Sequence, residues 1–290
     1  MKQTPVNNKD EYKQLLKIPI KKAIKLGKYS FCNCLPINLP MEHFQDTLIQ
    51  GYTGTPEAIN SLLIEGKIHA GPVSSYEYLK HKEQLLLMND ISISSQKEVG
   101  SVILFSKYSF EELGKKTIAV AYTSSTSVKL LQLLLITLAK ARANFVVHYY
   151  DHSVEEYLKT YDAVLYIGDP ALQSAYNLRE NEIIKQYDLA GLWVSLYNLP
   201  AVFGVWVATR RWADQNPELF YFLNQSLNNA KEKGLTVDFD KVVSQAIDQL
   251  KLPEAFIVQY FKERLSYNLT DIHQQSLELY YCQLKQNGLI

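Results

Sequence analysis

The chain has 290 residues, 47% of them hydrophobic and 21% charged, with 30 basic side chains against 30 acidic ones. This excludes intrinsic disorder and leaves one large domain or two lobes of about 100–150 residues each. Zero net charge also excludes the long-range pull on nucleic acid or anionic lipid that a clustered Lys/Arg excess supplies, so a charged ligand has to be recognised locally.

Residues 1–21 are polar and aperiodic and read as an N-terminal extension. Met1–Lys22 carries no apolar stretch ahead of a small-residue cleavage site, which predicts a cytoplasmic protein without an export signal. From Lys22 an α/β rhythm begins: strand Ala23–Tyr29, helices Pro36–Ile49 and Pro56–Glu65, strand Ala70–Val73, helix Ser75–Lys80. Two β-rich runs follow, Leu85–Ile93 and Val99–Phe105. The alternation then resumes with strand Thr117–Ala121, helix Val128–Lys140, strand Phe145–Tyr149, helix Val154–Thr160, strand Ala163–Ile167, helix Pro170–Tyr176 and strand Ile183–Tyr187. Ala201–Ala208 reads as a buried strand. From Gln215 onward the apolar spacing is helical, in Leu219–Leu227, Phe239–Leu250, Phe256–Phe261 and Leu277–Leu284. The most apolar run, Leu130–Ala139, contains Gln132 and Thr137 and falls short of the roughly 18 residues of a membrane span.

This order predicts an α/β protein of two lobes with two crossover strands, Val99–Ser106 and Pro200–Thr209. Lobe 1 is discontinuous, 22–104 with 207–290, and includes the C-terminal helical segment; lobe 2 is 105–206. A cleft between lobes is a favoured place for a ligand.

Four loop-to-helix junctions place small polar groups where a strand gives way to a helix, the end at which α/β proteins bind ligands. They are Tyr29–Pro36 with Asn33, Gly71–Glu77 with Ser74 and Ser75, Tyr122–Val128 with Thr126 and Ser127, and Ile167–Pro170 with Asp169 as an N-cap. Any one of these is explained by helix capping alone. Two in each lobe would face each other across the cleft and present hydroxyls and backbone N–H groups to carboxylates or phosphates. Nucleotide-binding glycine motifs, a GxSxG elbow and metal-helix histidine spacings are absent. The three cysteines, Cys32, Cys34 and Cys282, are too few for a zinc site and read as small buried side chains, and Trp206 reads as core or cleft wall.

The motifs in their order resemble one family. Ser30-Phe-Cys-Asn33-Cys-Leu-Pro-Ile37 is similar to its opening S-Y-x-N-x-x-P motif, and Thr55-Pro-x-x-Ile-Asn60-x-Leu-Leu-x-x-Gly66 to its first helix. Ser74-Ser75-Tyr-Glu-Tyr78, Val99-Gly-Ser101-Val-Ile-Leu-Phe-Ser106 and Thr123-Ser-Ser-Thr126-Ser127-Val follow. Then come Ile167-Gly168-Asp169-Pro-Ala-Leu172, Tyr187-Asp-Leu189, Leu199-Pro-Ala-Val-Phe203-Gly-Val-Trp206 and Tyr260-Phe-x-x-x-Leu-x-Tyr-x-Leu269. The family is chorismate dehydratase, of the futalosine route to menaquinone, and the resemblance covers about residues 22–290.

The resemblance implies a type 2 periplasmic-binding-protein-like fold and a cytoplasmic lyase that dehydrates chorismate to 3-[(1-carboxyvinyl)oxy]benzoate without metal or organic cofactor. Asn33 matches the motif asparagine and is the implied catalytic residue. Ser74, Ser75, Ser101, Thr126, Ser127 and Asp169 are the implied substrate-binding residues. A sister family that makes 1,4-dihydroxy-6-naphthoate carries a catalytic histidine in an Ile-His-Glu motif, where this chain has Ile167-Gly168-Asp169. A binding protein without catalysis is the other alternative on this scaffold. The chain departs from the family pattern at Phe31, commonly Tyr, at His69, commonly Asp, and at Tyr197-Asn198, commonly Thr-Gly.

Overall fold

A computed structural model describes residues 24–42, 48–122 and 125–290. The N-terminal extension lies outside the described residues.

The first sheet has strand order β2-β1-β3-β10-β4, with β1 Ile24–Tyr29, β2 Ile49–Gly54, β3 Ala70–Ser74, β4 Leu85–Ser95 and β10 Ala201–Thr209. β1 runs parallel to β2 and β3, while β10 lies antiparallel between β3 and β4. The second sheet has order β7-β6-β8-β5-β9, with β5 Val102–Ser106, β6 Thr117–Ala121, β7 Asn144–His148, β8 Ala163–Ile167 and β9 Lys185–Asp188. Every residue of β5 and of β8 is buried, as expected of central strands covered on both faces.

The two expected crossover strands each lie wholly in one sheet. β5 pairs only within the second sheet and β10 only within the first, so the chain changes sheet in 96–101 and in 189–200. Residues 102–104 therefore sit in the second sheet and 201–206 in the first.

The helices are α1 Leu35–Met41, α2 Pro56–Ile64, α3 Ser75–Lys80, α4 Ser125–Leu138, α5 Val154–Thr160, α6 Gly168–Asn177, α7 Leu189–Tyr197, α8 Arg210–Gln215, α9 Pro217–Leu235, α10 Phe239–Leu250, α11 Glu254–Gln259 and α12 Asp271–Gln286. Three elements differ from the sequence reading; one is α8, Arg210–Gln215, which lies ahead of the point where helical spacing begins in the sequence. The helix expected over Pro36–Ile49 is described only to Met41, and Ile49 opens β2, an edge strand whose alternation is hidden by its glycines, polar residues and single buried side chain. α7 went unrecognised: Leu189-Ala-Gly-Leu-Trp-Val-Ser-Leu-Tyr is apolar on most sides, so no amphipathic stripe marks it, yet Asp188 caps it by accepting from Ala190 N and Gly191 N.

The capping expectations divide similarly. Ser74 caps α3 as expected by accepting from Glu77 N, and at the start of α5 Ser153 and Glu156, whose spacing in the sequence is that of a capping box, form the reciprocal pair. Asp169 is not an N-cap: α6 begins one residue earlier, at Gly168, and the cap position is Ile167. The C-terminal helices join the first sheet, Ser266 bridging to Ser94 of β4, and α9 packs on α1 so closely that a Cβ on Gly234 would lie 1.9 Å from the Pro36 carbonyl oxygen.

Candidate functional site

The four strand-to-helix junctions converge on one cavity of about 720 Å³, counting space open to solvent. From lobe 1 it is lined by Phe31, Asn33 and Cys34 after β1 and by Ser74 after β3; from lobe 2 by Thr126 and Ser127 in α4 and by Ile167 and Gly168 where β8 passes into α6. Ser101, in the segment between the sheets, completes the polar lining. Phe203 and Trp206 of β10 with Ile93, Val99 and Val102 make the walls apolar, a surface that suits a flat six-membered ring.

No Asp, Glu, Lys, Arg or His is among the described residues that line the cavity. Burial pushes the Tyr29 hydroxyl and the Cys34 thiol well up from their ordinary values, so both hold their protons at neutral pH. The described lining residues thus offer hydrogen bonds and no base that is active near pH 7.

Three hydroxyls share one arrangement. The oxygen of Ser74 accepts from Glu77 N at 3.4 Å, that of Thr126 from Tyr76 N at 2.8 Å, and that of Ser101 from the Tyr260 hydroxyl at 3.0 Å. A hydroxyl whose oxygen is already an acceptor has its own hydrogen to give. The cavity therefore presents donors, the chemistry an anionic ligand requires, without a formal charge.

Asn33 sits in a single 3₁₀ turn, Cys32–Cys34, tied by Cys34 N to the Phe31 carbonyl at 3.0 Å. The Tyr267 hydroxyl holds the Asn33 carbonyl at 2.9 Å from behind. Asn33 Oδ1 is buried and has no hydrogen-bond partner, a cost of about 1–3 kcal/mol unless a donor arrives. A half-buried amide in the cavity lining whose buried oxygen has no partner is the feature that most clearly asks for a ligand.

Of the residues singled out from sequence, Asn33, Ser74, Ser101, Thr126 and Ser127 line the cavity. Ser75 and Asp169 do not. Ser75 is fully buried and its hydroxyl donates to the Val202 carbonyl at 2.6 Å, tying α3 to β10. Asp169 turns its carboxylate to Cys32 N, at 3.1 Å, and to Gln249 Nε2, at 2.5 Å. Burial pushes its carboxyl up, and those hydrogen bonds oppose the shift.

The supporting tyrosines were missed as such. Tyr260 and Tyr267 stand in the late motif quoted above, but a sequence does not reveal that their hydroxyls reach back 159 and 234 residues to Ser101 and Asn33. Of the departures from the family pattern, only Phe31 touches the cavity. His69 accepts from Lys25 N and stacks on Trp212, and Asn198 holds the left-handed C-cap of α7, a role glycine commonly fills. Cys32 and Cys34 are buried as expected; Cys282 is exposed, because α12 turns that face to solvent.

The sequence matches the profile of the menaquinone biosynthesis family over residues 24–286. It is 34% identical over 212 residues to the chorismate dehydratase of Thermus thermophilus, covering 68% of this chain and 73% of that protein. Among solved structures, a protein from Archaeoglobus fulgidus superposes with a TM-score of 0.74 at 16% identity, covering 92% of this chain and 98% of the other. The periplasmic aliphatic sulphonate binding protein SsuA of Escherichia coli does so with 0.65 at 14% identity, covering 94% and 89%. The two sheets and their connections are thus a periplasmic-binding-protein-like fold.

Proposed function

Because the chain belongs to the menaquinone biosynthesis family, we propose that it is an enzyme, a chorismate dehydratase that removes water from chorismate to give 3-[(1-carboxyvinyl)oxy]benzoate. The observation that carries the reading is the uncharged, donor-lined cavity with one unpartnered acceptor, Asn33 Oδ1. Chorismate at neutral pH has two carboxylates that need donors and a single donor of its own, the C4 hydroxyl. The hydroxyls of Ser74, Ser101 and Thr126 meet the carboxylates, and Asn33 takes the C4 hydroxyl.

In the reaction the C4–O and C3–H bonds break, C3 and C4 become doubly bonded, and the ring becomes aromatic. Aromatisation supplies the driving force, so the protein's task is to hold the C4–O bond in the orientation for elimination and to exclude water. Asn33 fixes the departing hydroxyl; an amide is too weak a base to remove the C3 proton. With no titratable group active near neutrality among the described lining residues, the substrate's own enolpyruvyl carboxylate takes that proton and passes it to the departing C4 hydroxide, so that water leaves and the carboxylate is restored. Ser127 is assigned to the substrate through its position on the lining, whereas Ser75 and Asp169 act behind it.

No helix among the described residues is long and apolar enough to cross a membrane. The neutral charge balance supports a partner that is a small molecule and not a nucleic acid or an anionic bilayer, and we assign the reaction to the cytoplasm.

The test is incubation of the purified chain with chorismate, following the product's mass and the gain of benzoate absorbance. Turnover by wild type, and a loss of at least a hundredfold in kcat for Asn33→Ala, is the expected result. Folded wild type that binds chorismate without releasing water would make the protein a carboxylate receptor instead. An analogue lacking the enolpyruvyl carboxylate should bind yet fail to aromatise; normal turnover of that analogue would eliminate the substrate-assisted step.

A further inference from the structure

The two lobes are joined by a small polar cluster whose side chains, Asp169, Gln173 and Gln249, are not part of the cavity lining. Asp169 and Gln173, one turn apart on α6, belong to lobe 2; the 30–34 turn and α10 belong to lobe 1. Asp169 Oδ1 accepts from Cys32 N at 3.1 Å, and Oδ2 accepts from Gln249 Nε2 at 2.5 Å. The same Gln249 nitrogen donates to the Ser30 carbonyl at 3.1 Å, and Gln173 Nε2 donates to the Leu250 carbonyl at the end of α10 at 2.9 Å. Gly168 packs beside Phe31, where an added Cβ would lie 3.0 Å from the ring.

The local chemistry gives this cluster a direction. The 3₁₀ turn that carries Asn33 has no side-chain cap of its own, since its N-cap residue is Phe31. Its first N–H, that of Cys32, is one of the orphan donors every helical turn leaves at its start. The acceptor that satisfies it comes from the other lobe. Capping normally works within a few residues, through a Ser, Thr, Asp or Asn beside the turn; here an aspartate 137 residues away does it. Separation of the lobes would remove that acceptor from the residue next to Asn33.

We propose that Asp169 and Gln249 form an interlobe latch that caps the 32–34 turn only when the lobes are closed, so that closure over the substrate sets the orientation of Asn33. They are positioning residues, not substrate ligands. The latch makes the competent geometry of Asn33 conditional on closure, which confines elimination to a site from which water has been shut out. The inference rests on the dehydratase reading for its kinetic part and on the cluster's geometry alone for its conformational part.

Two measurements test it on the full chain. In steady-state turnover of chorismate, Asp169→Ala should lower kcat about ten- to a hundredfold with a smaller change in KM, and Asp169→Asn, which keeps an oxygen for Cys32 N but loses the acceptor of Gln249 Nε2, should lose about as much as Gln249→Ala and less than Asp169→Ala. Gln249→Ala should lower kcat too, and the double variant should lose less than the product of the single losses because both residues act in one network. Independently of activity, spin labels at Glu57→Cys and Lys159→Cys in a Cys282→Ser background report the distance between lobes. Asp169→Ala and Gln249→Ala should lengthen or broaden that distance, with Asp169→Asn, which keeps only the Cys32 N contact, falling between wild type and Asp169→Ala. Wild-type turnover with full kcat in Asp169→Ala would overturn the latch while leaving the dehydratase reading intact. No wild-type turnover would overturn that reading, and the label distances would then decide the latch: identical distributions in wild type and Asp169→Ala reject it.

Discussion

A single acceptor atom, Asn33 Oδ1, carries much of the meaning of the site, because among the described residues it is the buried side-chain oxygen without a donor that belongs to a residue lining the cavity. Its chemistry is neutral, and that neutrality matters as much as its position. Asn33→Asp would place a fixed negative charge in a cavity that receives a dianion and holds no described cation; KM for chorismate should rise at least tenfold while the fold is unaffected, measurable from initial rates at pH 7. Gly168 is the other residue whose identity the backbone dictates. Its φ of +61° is left-handed, and the Phe31 ring stands against it. Gly168→Ala should cost about 1–2 kcal/mol, read as a lower thermal midpoint, and should lower turnover by pushing the two lobes apart at the mouth of the cavity. Asn33 was legible in the sequence as an amide between a strand and a proline-led helix. Tyr260, Tyr267 and the true partners of Asp169 were not, since a hydroxyl or carboxylate announces its type in a sequence but not its distant partner.

The strand-to-helix junctions are the elements that turn a generic α/β order into a site. Parallel strands β1, β3, β6 and β8 all deliver their carboxyl ends to the cavity, and each following helix starts there. Some helix starts only hold the scaffold. At α5 the Ser153–Glu156 capping box lies away from the cavity, so Ser153→Ala should lower stability by about 1 kcal/mol in denaturant unfolding with unchanged turnover. The α1–α9 packing lies closer to function because α1 continues directly from the Asn33 turn. With a Cβ on Gly234 meeting the Pro36 carbonyl, Gly234→Ala should cost about 2–3 kcal/mol and should lower kcat as well as the thermal midpoint. Element recognition succeeded wherever periodicity was strong, as in Val154–Thr160 and Phe239–Leu250, whose bounds the structure reproduces. It failed at α7, which is apolar on most sides and has no stripe to detect, and at β2, which is short, polar and at a sheet edge.

At the scale of the whole molecule, burial fixes how stability responds to pH. His69, His148 and His273 are all held below the ordinary histidine range, chiefly by burial, and each uses Nδ1 to accept a backbone N–H: from Lys25, Tyr150 and Thr270 respectively. The unfolded chain takes up protons at these sites below about pH 6.5 while the folded chain resists, so stability falls as pH drops from that point toward the lowered folded values. The thermal midpoint should decline between pH 7 and pH 5.5, and less steeply in His148→Gln. The balance of 30 basic and 30 acidic residues describes the surface; the cavity works through hydroxyls and amides that carry no charge to count. The sequence by itself determined the α/β order, the paired lobes and the residue types at the cavity, because periodicity, capping chemistry and motif order are local properties of the chain. Only the tertiary structure decided that Ser75 and Asp169 face away from the cavity, that Tyr260 and Tyr267 brace it, and that lobe 2 caps the turn bearing Asn33. Those contacts join residues far apart in the chain, and their geometry exists only once both sheets have folded and closed on one another.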